Sequence, residues 1–404
     1  MKEVVITHGL RTPIGKVGAS LKDIDSVTLG ALVMGELITN RAKIDPAKLD
    51  HVILGEVKQS ADPSNTARVA ALLAGIPETV PAYTVHRQCG SGLQAIIDAY
   101  QMIRSDEATA VLAGGVENMS QSVYFMRNTS SGLGSGNYTI EDSLVAGGPG
   151  AVPADIYGNQ PMGMTAEKLA ELYNISRQEE DEFAQLSQER MAAAMAAGRF
   201  DGQILPVKVQ TKKGEKLFSK DEHPFLSSVE SLGVLKPAFK AGGSVTAGNS
   251  SGRNDGAAVV LVMAKEKADE LGLAPMAKIL AVSASGCDPT IMGIGPVECT
   301  RKALEKASLT INDLDVIELN EAFAAQSLAV LEEWKKWGIS GEELLRKVNP
   351  NGGAIAHGHP LGCTGTALTV KCMYELSRCP QYRYGLITLC CAGGLGVAVV
   401  IEKC

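Results

Sequence analysis

The sequence has few of the features that mark nucleic-acid-binding, membrane or metal proteins. Its 404 residues carry a net charge of −7 and no run of lysine or arginine, so nucleic acid is not an expected partner. No apolar run approaches the ~20 residues that span a bilayer, so we expect no membrane association. Six histidines and no Cys-x-x-C motif argue against any metal site.

Aromatic residues are also scarce, at 4%, whereas glycine is abundant, at 43 residues. This balance predicts tight turns and close backbone contacts, as in α/β enzymes. The first residues, Met1–Ile6, predict a strand and lack the charged-then-apolar order of a signal peptide. Nine cysteines, an odd number, indicate reduced thiols, and we therefore expect a cytoplasmic protein.

Short β-rich runs alternate with helical stretches at the start of the chain. The predicted strands are Val4–Thr7, His51–Gly55 and Ala110–Ala113, the last closed by Gly114 and Gly115, and the predicted helices are 26–43 and 90–104. Strands that alternate with helices in this way predict a mostly parallel sheet with helices on its faces.

The middle of the chain breaks this rhythm. Residues 129–152 are rich in glycine and serine and predict a long loop. A helix follows, with Ser176 and Glu179 as a capping box and Gly198 as a stop. We therefore expect three regions: an N-terminal α/β half over 1–120, a loop domain over 121–246 and a C-terminal α/β half over 247–404.

An internal repeat relates the two α/β halves. In the first half, Cys89–Gly92 is followed by a helix and the strand 110–115. In the second half, Gly362–Gly365 is followed by a helix and the segment 389–394. The repeat predicts two similar βαβαβ halves with active groups at matching strand ends, although chance similarity of two βα units is the alternative.

Cys89 lies where a predicted strand ends and a helix begins in small residues. A thiol at a helix N-terminus faces the positive end of the helix dipole and free N–H groups, which stabilise the nucleophilic thiolate. The alternative is a buried structural cysteine, and position alone does not decide between them.

Three further segments carry candidate catalytic groups. His359 lies in a Gly-rich turn before a helix and could accept a proton from a thiol, or it could make only a structural hydrogen bond. Cys390 ends a strand beside glycines and could serve as an acid and base, or be a small buried residue. Asn320, also at a strand end, could hold a water or donate to an oxyanion.

Together these segments resemble the thiolase family over nearly the whole chain. The resemblance also includes the motifs Arg11–Gly15, Gly114–Ser120, Met162–Glu167 and Val245–Asn249. It implies a layered α-β-α-β-α fold in which two similar halves carry an inserted loop domain. It also implies a homodimer or homotetramer, with the segment 121–152 as an expected contact.

The resemblance assigns roles to individual residues. Cys89 would be acylated, His359 would activate it and help to bind the thioester oxygen, and Cys390 would exchange a proton with the α-carbon of acetyl-CoA. Asn320 would fix a water in one oxyanion hole, and the backbone N–H groups of Cys89 and Ala392 would form another.

The family's reaction is the reversible, coenzyme A-dependent cleavage of a 3-ketoacyl-CoA, or the reverse Claisen condensation. Coenzyme A and acyl-CoA would be the substrates, and no permanently bound cofactor is implied. Residues assigned to substrate binding are Ser251 at the pantetheine arm, Met162 in the acyl pocket, Ala247 and Ala392. Ala392 stands where the family has glycine, and Phe225 where many relatives have arginine.

Three other functions are each suggested by part of the sequence or by its broad fold. Gly248–Gly252 matches the G-x-S-x-G motif of serine hydrolases, but a predicted strand rather than a helix follows it. A decarboxylating condensing enzyme of the same broad fold would use Cys-His-His or Cys-His-Asn, which the second thiol, Cys390, argues against. A non-enzymatic acyl-CoA carrier would not need Cys89, Asn320, His359 and Cys390 together.

Overall fold

A computed structural model describes residues 2–59, 62–127 and 132–404. The strands are β1 Val4–Arg11, β2 Gly15–Lys16, β3 His51–Gly55, β4 Ala82–Val85, β5 Ala110–Asn118, β6 Tyr124–Phe125, β7 Glu141–Asp142, β8 Val207–Thr211, β9 Gly214–Phe218, β10 Asn254–Ala264, β11 Ala277–Gly286, β12 Val316–Leu319, β13 Tyr384–Cys391 and β14 Leu395–Lys403. The helices are α1 Ser26–Glu36, α2 Thr66–Leu73, α3 Ser91–Arg104, α4 Ser143–Ala146, α5 Ala154–Tyr157, α6 Met162–Tyr173, α7 Arg177–Ala196, α8 Val229–Gly233, α9 Lys265–Glu270, α10 Gly295–Ala307, α11 Ala324–Lys335, α12 Gly341–Lys347, α13 Ala354–His357 and α14 Leu361–Arg378.

The main sheet has ten strands, nine of them in the order β12-β13-β14-β11-β1-β10-β5-β3-β4, with β2 beside β10. Only β3 with β4, β3 with β5, and β12 with β13 pair in parallel. The prediction of a mostly parallel sheet is therefore wrong. The sheet is mixed because β14 follows β13 through a tight turn rather than a crossover helix. Both β14 and β10, which comes after the middle of the chain, run antiparallel to both of their neighbours along this order.

The sheet consists of two similar halves, as the repeat predicted. They are joined through β1 and β11 by only two residue pairs, Val5 with Lys278 and Ile6 with Ala277. Strands β3, β5 and β10 of the first half correspond to β12, β13 and β14 of the second. Where the first half has β4, the second has a single parallel bridge between Ile317 and Val348.

Three buried clusters give the molecule five layers. Helices α3 and α14 lie between the two half-sheets and share one core, in which Leu93 and Leu368 are fully buried. Helices α1 and α2 cover the outer face of the first half, and α10 and α11 that of the second. The predicted α-β-α-β-α order is confirmed. Within the described ranges, no helix has the length and apolar character needed to cross a membrane.

Strand β5 differs from its prediction in an informative way. Gly114 and Gly115 do not close the strand, which continues to Asn118. A Cβ on Gly114 would collide with the Ala258 carbonyl oxygen, and one on Gly115 with the Gly362 carbonyl oxygen. The two glycines therefore allow neighbouring backbones to pack closely against β5.

The middle region contains β6 to β9 and α4 to α8, and none of these strands joins the main sheet. The capping box of Ser176 and Glu179 starts α7, and Gly198 follows the helix end with a φ of 65°. Part of the predicted loop over 129–152 lies outside the described residues. The boundaries 1–120, 121–246 and 247–404 stay a prediction.

A buried ion pair ties this middle region to the first strand. Arg11, at the end of β1, donates to both carboxylate oxygens of Asp221 at 2.7 and 2.9 Å. The two side chains are 2% and 1% exposed. Asp221 also accepts from the Ile14 N–H at 2.7 Å, so its charge is met on several sides.

We expect Arg11→Met to lower the free energy of unfolding by about 3–5 kcal/mol, because it leaves a buried carboxylate without its partner. Urea denaturation followed by circular dichroism measures the change. Arg301→Met removes an exposed pair with Glu298 and is the control, which should leave the midpoint almost unchanged. Equal effects of the two substitutions would contradict the importance of burial.

Candidate active site

Cys89 is presented by a tight turn between β4 and α3. Gln88, just before it, has a φ of 49°, a left-handed conformation that non-glycine residues adopt only when their surroundings impose it. Ser91 closes the turn, since its hydroxyl donates to the Gln88 carbonyl at 2.6 Å and accepts from the Arg87 N–H at 2.9 Å. The turn holds Cys89 at the start of a 14-residue helix.

The surroundings of the Cys89 thiol hold it in its neutral form. Burial raises the pKa of Cys89 to about 11, and the nearby backbone N–H groups of Ala392 and of Cys89 itself partly oppose this rise. The thiol therefore needs a base before it can act as a nucleophile. Ala392 belongs to the second half of the molecule.

His359 precedes α14 and is 4% exposed. Its Nδ1 lies 2.7 Å from the Thr364 hydroxyl, which itself donates to the Pro360 carbonyl at 2.8 Å. The hydroxyl must therefore accept from Nδ1–H, which leaves the lone pair on Nε2. Burial lowers the pKa of His359 to about 4, so the imidazole is a neutral base at physiological pH.

Asn320 follows β12 and touches the free nitrogen of this imidazole. The Asn320 Nδ2 lies 3.4 Å from His359 Nε2, and both side chains are buried. The Asn320 Oδ1 is also buried, and it has no hydrogen-bond partner among the described parts of the chain. A polar atom of this kind is suited to hold a water or a polar group of a substrate.

Cys390 and Cys391, adjacent at the end of β13, face opposite ways. Cys390 belongs to a cluster with Ala166 and Phe323, whereas Cys391 belongs to the core shared by α3 and α14. Burial, reinforced by the neighbouring Cys89, raises the pKa of Cys390 well above its usual value. Cys390 therefore faces the cluster that contains Phe323, whereas the Cys391 thiol lies against Gly90, next to Cys89.

The first turns of α3 and α14 touch, and this contact brings the two halves of the site together. The Thr366 hydroxyl donates to the Gly92 carbonyl at 3.0 Å. A Cβ on Gly92 would lie 2.5 Å from the Gly362 carbonyl oxygen. Cys89 and His359 each lie three residues before one of these glycines, at the same end of the two helices.

Several residues that support the site were not predicted from the sequence. The Asn254 Oδ1 accepts from the His359 backbone N–H at 2.9 Å, across 105 positions of the chain. The Asn349 side chain accepts from the Leu319 N–H at 3.0 Å and donates to the Leu319 carbonyl at 2.8 Å. It thus makes the two hydrogen bonds that a neighbouring strand would make to the residue before Asn320. Thr364, five residues after His359, could have been suspected from its place in the first turn of α14.

The predicted substrate-binding residues occupy two places in the structure. Met162 begins α6 and packs against the cluster that contains Cys390. It also lines a narrow cleft with Gly148, Val152 and Gly393. The Ser251 N–H donates to the Ala322 carbonyl at 3.0 Å, and Ala247 is exposed on the same loop.

Ala392 and Phe225 depart from the family pattern without disturbing the backbone of the site. Ala392 is not among the described residues with positive φ, whereas Gly393 and Gly394 after it have φ of 85° and 77°. The backbone of Ala392 is therefore in an ordinary conformation, and its N–H is near enough to Cys89 to lower the pKa of the thiol. Phe225 is 71% exposed, and its N–H donates to the Gln188 side chain.

The hydrolase-like motif has a different structural role. Ser250 donates its hydroxyl to the Thr246 carbonyl at 2.6 Å, and strand β10 follows at Asn254 rather than a helix. His357 is buried with Nδ1 2.8 Å from the Gly358 carbonyl oxygen, and burial lowers its pKa well below the usual value. Neither residue takes part in the contact between His359 and Asn320.

The arrangement suits acyl transfer to a thiol. It offers a neutral thiol at a helix N-terminus, a neutral imidazole, a buried amide, a second thiol and N–H donors aimed at the first thiol. Such fixed dipoles stabilise an oxyanion without the cost of reorganising water. Within residues 2–59, 62–127 and 132–404, no group of three or more His, Cys, Asp or Glu side chains could hold a metal ion.

Comparisons with known proteins agree over the whole chain. The family model of the thiolase N-terminal domain matches residues 4–266, and that of the thiolase C-terminal domain matches residues 273–403. An acetyl-CoA acetyltransferase of Syntrophomonas wolfei is 46% identical, with 99% of each chain covered. A probable acetyl-CoA acyltransferase of Staphylococcus epidermidis is also 46% identical, over 100% of this chain and 99% of the relative.

Two solved structures have the same fold. The crystal structure of the Bacillus anthracis acetyl-CoA acetyltransferase has a TM-score of 0.92 and is 44% identical in sequence. The match covers 100% of this chain and 99% of that chain. That of human mitochondrial 3-ketoacyl-CoA thiolase has a TM-score of 0.93 and 40% identity, with the same coverage. Together with the two family models, which match nearly every residue, they show that this chain belongs to the thiolase family.

Proposed function

We propose that this protein is a thiolase that catalyses the reversible, coenzyme A-dependent cleavage of a 3-ketoacyl-CoA into acetyl-CoA and a shortened acyl-CoA. The same groups run the reverse Claisen condensation, which forms acetoacetyl-CoA from two acetyl-CoA molecules. The observation that carries the proposal is the contact between the first turns of α3 and α14, which follow Cys89 and His359, together with the closeness of Asn320 to His359 and of Cys390 to Cys89.

In the cleavage direction, His359 Nε2 takes the proton of the Cys89 thiol. The thiolate attacks the 3-keto carbon, the bond between C2 and C3 breaks, and its electron pair passes to the enolate of acetyl-CoA. Cys390 then protonates this enolate at C2, which leaves an acyl group on Cys89. In the second step, Cys390 removes the proton of a new coenzyme A thiol, whose sulfur attacks the acyl-enzyme and releases the Cys89 thiolate. This thiolate takes back the proton held by His359, which restores the resting enzyme.

Two groups of donors are placed to stabilise the negative charge that develops on oxygen. The backbone N–H groups of Cys89 and Ala392, both of which lower the pKa of the Cys89 thiol, would serve the acyl oxygen. Asn320 and His359 would serve the enolate oxygen, with a water held by the Asn320 amide. One preorganised donor of this kind contributes ~3 kcal/mol, or ~100-fold in rate.

Substrate binding follows the same assignment. Met162 would line the acyl pocket, since it borders both the Cys390 cluster and the cleft beside Gly393. Ser251 and Ala247 would contact the pantetheine arm.

The reaction needs only coenzyme A and its thioesters, and no permanently bound cofactor. We place the enzyme in the cytoplasm because its nine cysteines include no disulfide pair.

We also infer a homodimer or homotetramer, with 121–152 among the contacts. Strand β4 lies at the edge of the sheet and its four residues are only half-buried, so a second chain could cover this edge.

A decarboxylating condensing enzyme is the competing function. The thiol of Cys390, in place of a second histidine or asparagine, favours the thiolase.

We expect Cys89→Ala to lower thiolysis by at least about a thousandfold and to abolish the acyl-enzyme, because no other group can form the thioester. Thiolysis of acetoacetyl-CoA and mass spectrometry of the protein after exposure to acetyl-CoA measure the two effects. Cys404→Ala removes an exposed thiol and should keep wild-type turnover. Wild-type-like turnover of the Cys89 variant would overturn the mechanism.

We expect Cys390→Ser to spare acylation of Cys89 while it slows carbon–carbon bond formation by about 100-fold or more, as loss of a general acid and base does. Radiolabelled acetyl-CoA reports acylation, and acetoacetyl-CoA formation reports condensation. Cys391→Ala is the adjacent control and should retain most of both. If labelling is lost instead, Cys390 acts before the acyl-enzyme and its role must be reassigned.

We expect alkylation of Cys89 by iodoacetamide to show no loss centred near pH 6.5 as the pH falls from 8 to 5. The pKa of His359 is lowered to about 4, so the neutral form that serves as base is present throughout this range. Peptide mass spectrometry measures the rate, and the exposed Cys404 in the same sample reports an unassisted thiol. An inflection near 6.5 would show that His359 is protonated there.

A further inference from the structure

A buried carboxylate lies beneath the first turn of α14. Glu117, near the end of β5, is fully buried. It accepts from the Gly362 N–H at 2.8 Å, and from the N–H groups of Val57 and Lys58 at 3.1 and 3.0 Å. One side chain therefore joins three parts of the chain: β5, the segment after β3, and the start of the helix that follows His359.

The backbone around Gly362 is packed so closely that the start of α14 has no room to move. A Cβ on Gly362 would lie 2.6 Å from the Val116 carbonyl oxygen and 2.7 Å from the Glu56 Cα. The backbone of α14 thus rests directly on the ends of β3 and β5. Because His359 comes only three residues before Gly362, a shift of this turn would displace the imidazole.

The same turn also contacts the helix that follows Cys89. The Gly362 carbonyl oxygen lies against Gly92, where a Cβ would approach it to 2.5 Å. Gly362 is therefore held through its N–H by Glu117, and its carbonyl meets the first turn of α3. The relative position of Cys89 and His359 depends on where Glu117 places this one residue.

The charge of Glu117 does not explain its presence. Burial, reinforced by the neighbouring Glu56, raises the pKa of Glu117 to about 8, against the three N–H groups that lower it. When Glu117 is ionised, its negative charge raises the pKa of Cys89 and so opposes formation of the thiolate. Burying this carboxyl group is costly and its charge does not help the nucleophile, whereas its three hydrogen bonds fix three parts of the backbone.

We propose that Glu117 is a positioning residue, which sets the approach of His359 to Cys89 by fixing the Gly362 N–H against β5 and the segment Val57–Lys58. It touches no reacting atom and acts through the first turn of α14. The inference rests on the proposed roles of Cys89 and His359. It adds a residue that the reaction needs for the alignment of base and nucleophile, for which displacements near 1 Å can cost about 100-fold in rate.

Glu117→Gln tests the proposal, because the amide keeps the size of the side chain but turns an NH2 group towards at least one backbone N–H. We expect kcat for thiolysis to fall about 10–100-fold with KM within about threefold, and alkylation of Cys89 by iodoacetamide to slow. Rates are normalised to folded protein recovered by size exclusion. Glu56→Gln is the matched control, since this buried carboxylate accepts from Thr66 rather than from α14. It should leave kcat within about twofold.

The outcomes separate three explanations. Faster alkylation would show that Glu117 acts through its charge, and a lowered thermal midpoint with unchanged normalised rates would show a purely structural role; either result overturns the proposal. Glu117→Asp, which withdraws the carboxylate by one methylene, repeats the test if the Gln variant is not folded, and failure of both to fold also overturns it. Turnover by Cys89→Ala would instead refute the proposed function, whatever the result at Glu117.

Discussion

The close contact between the first turns of α3 and α14 is the constraint on which the site depends. Cys89 and His359 belong to different halves of the molecule and come together only because these two helices share the central layer. Their ends meet at Gly92 and Gly362, where any side chain would force the backbones apart. The glycine content of the sequence is therefore used where the chemistry is assembled, and not only in surface turns.

The site works with fixed dipoles rather than with charges. Burial keeps both the Cys89 thiol and the His359 imidazole neutral, with pKa values of about 11 and about 4. In the proposed mechanism, proton transfer between them becomes favourable when the new thiolate attacks a substrate carbonyl and nearby N–H groups stabilise the negative charge on its oxygen. Resting neutrality also protects a partly accessible thiol from non-productive reactions, because the thiolate is the reactive form.

The two halves share a topology but contribute different chemistry. The first carries the proposed nucleophile after β4. The second carries the proposed base after Val348, the buried amide after β12 and the second thiol near the end of β13. In the second half, the side chain of Asn349 hydrogen-bonds the end of β12, where the first half has strand β4. Near the end of β5, which corresponds to β13, the first half carries Glu117, the proposed positioning residue.

The sequence by itself determined the alternation of strands and helices, the internal repeat and the place of Cys89 at a strand–helix junction, because these features depend on local periodicity and on short motifs. Tertiary structure alone decided that the sheet is mixed, since strand direction depends on connections that periodicity does not record. It also decided which residues hold His359 and Asn320. Asn254 and Glu117 lie 105 and 245 positions from the N–H groups that they accept from in the α14 segment. No local pattern encodes such pairings, because each depends on two distant backbones packed against each other.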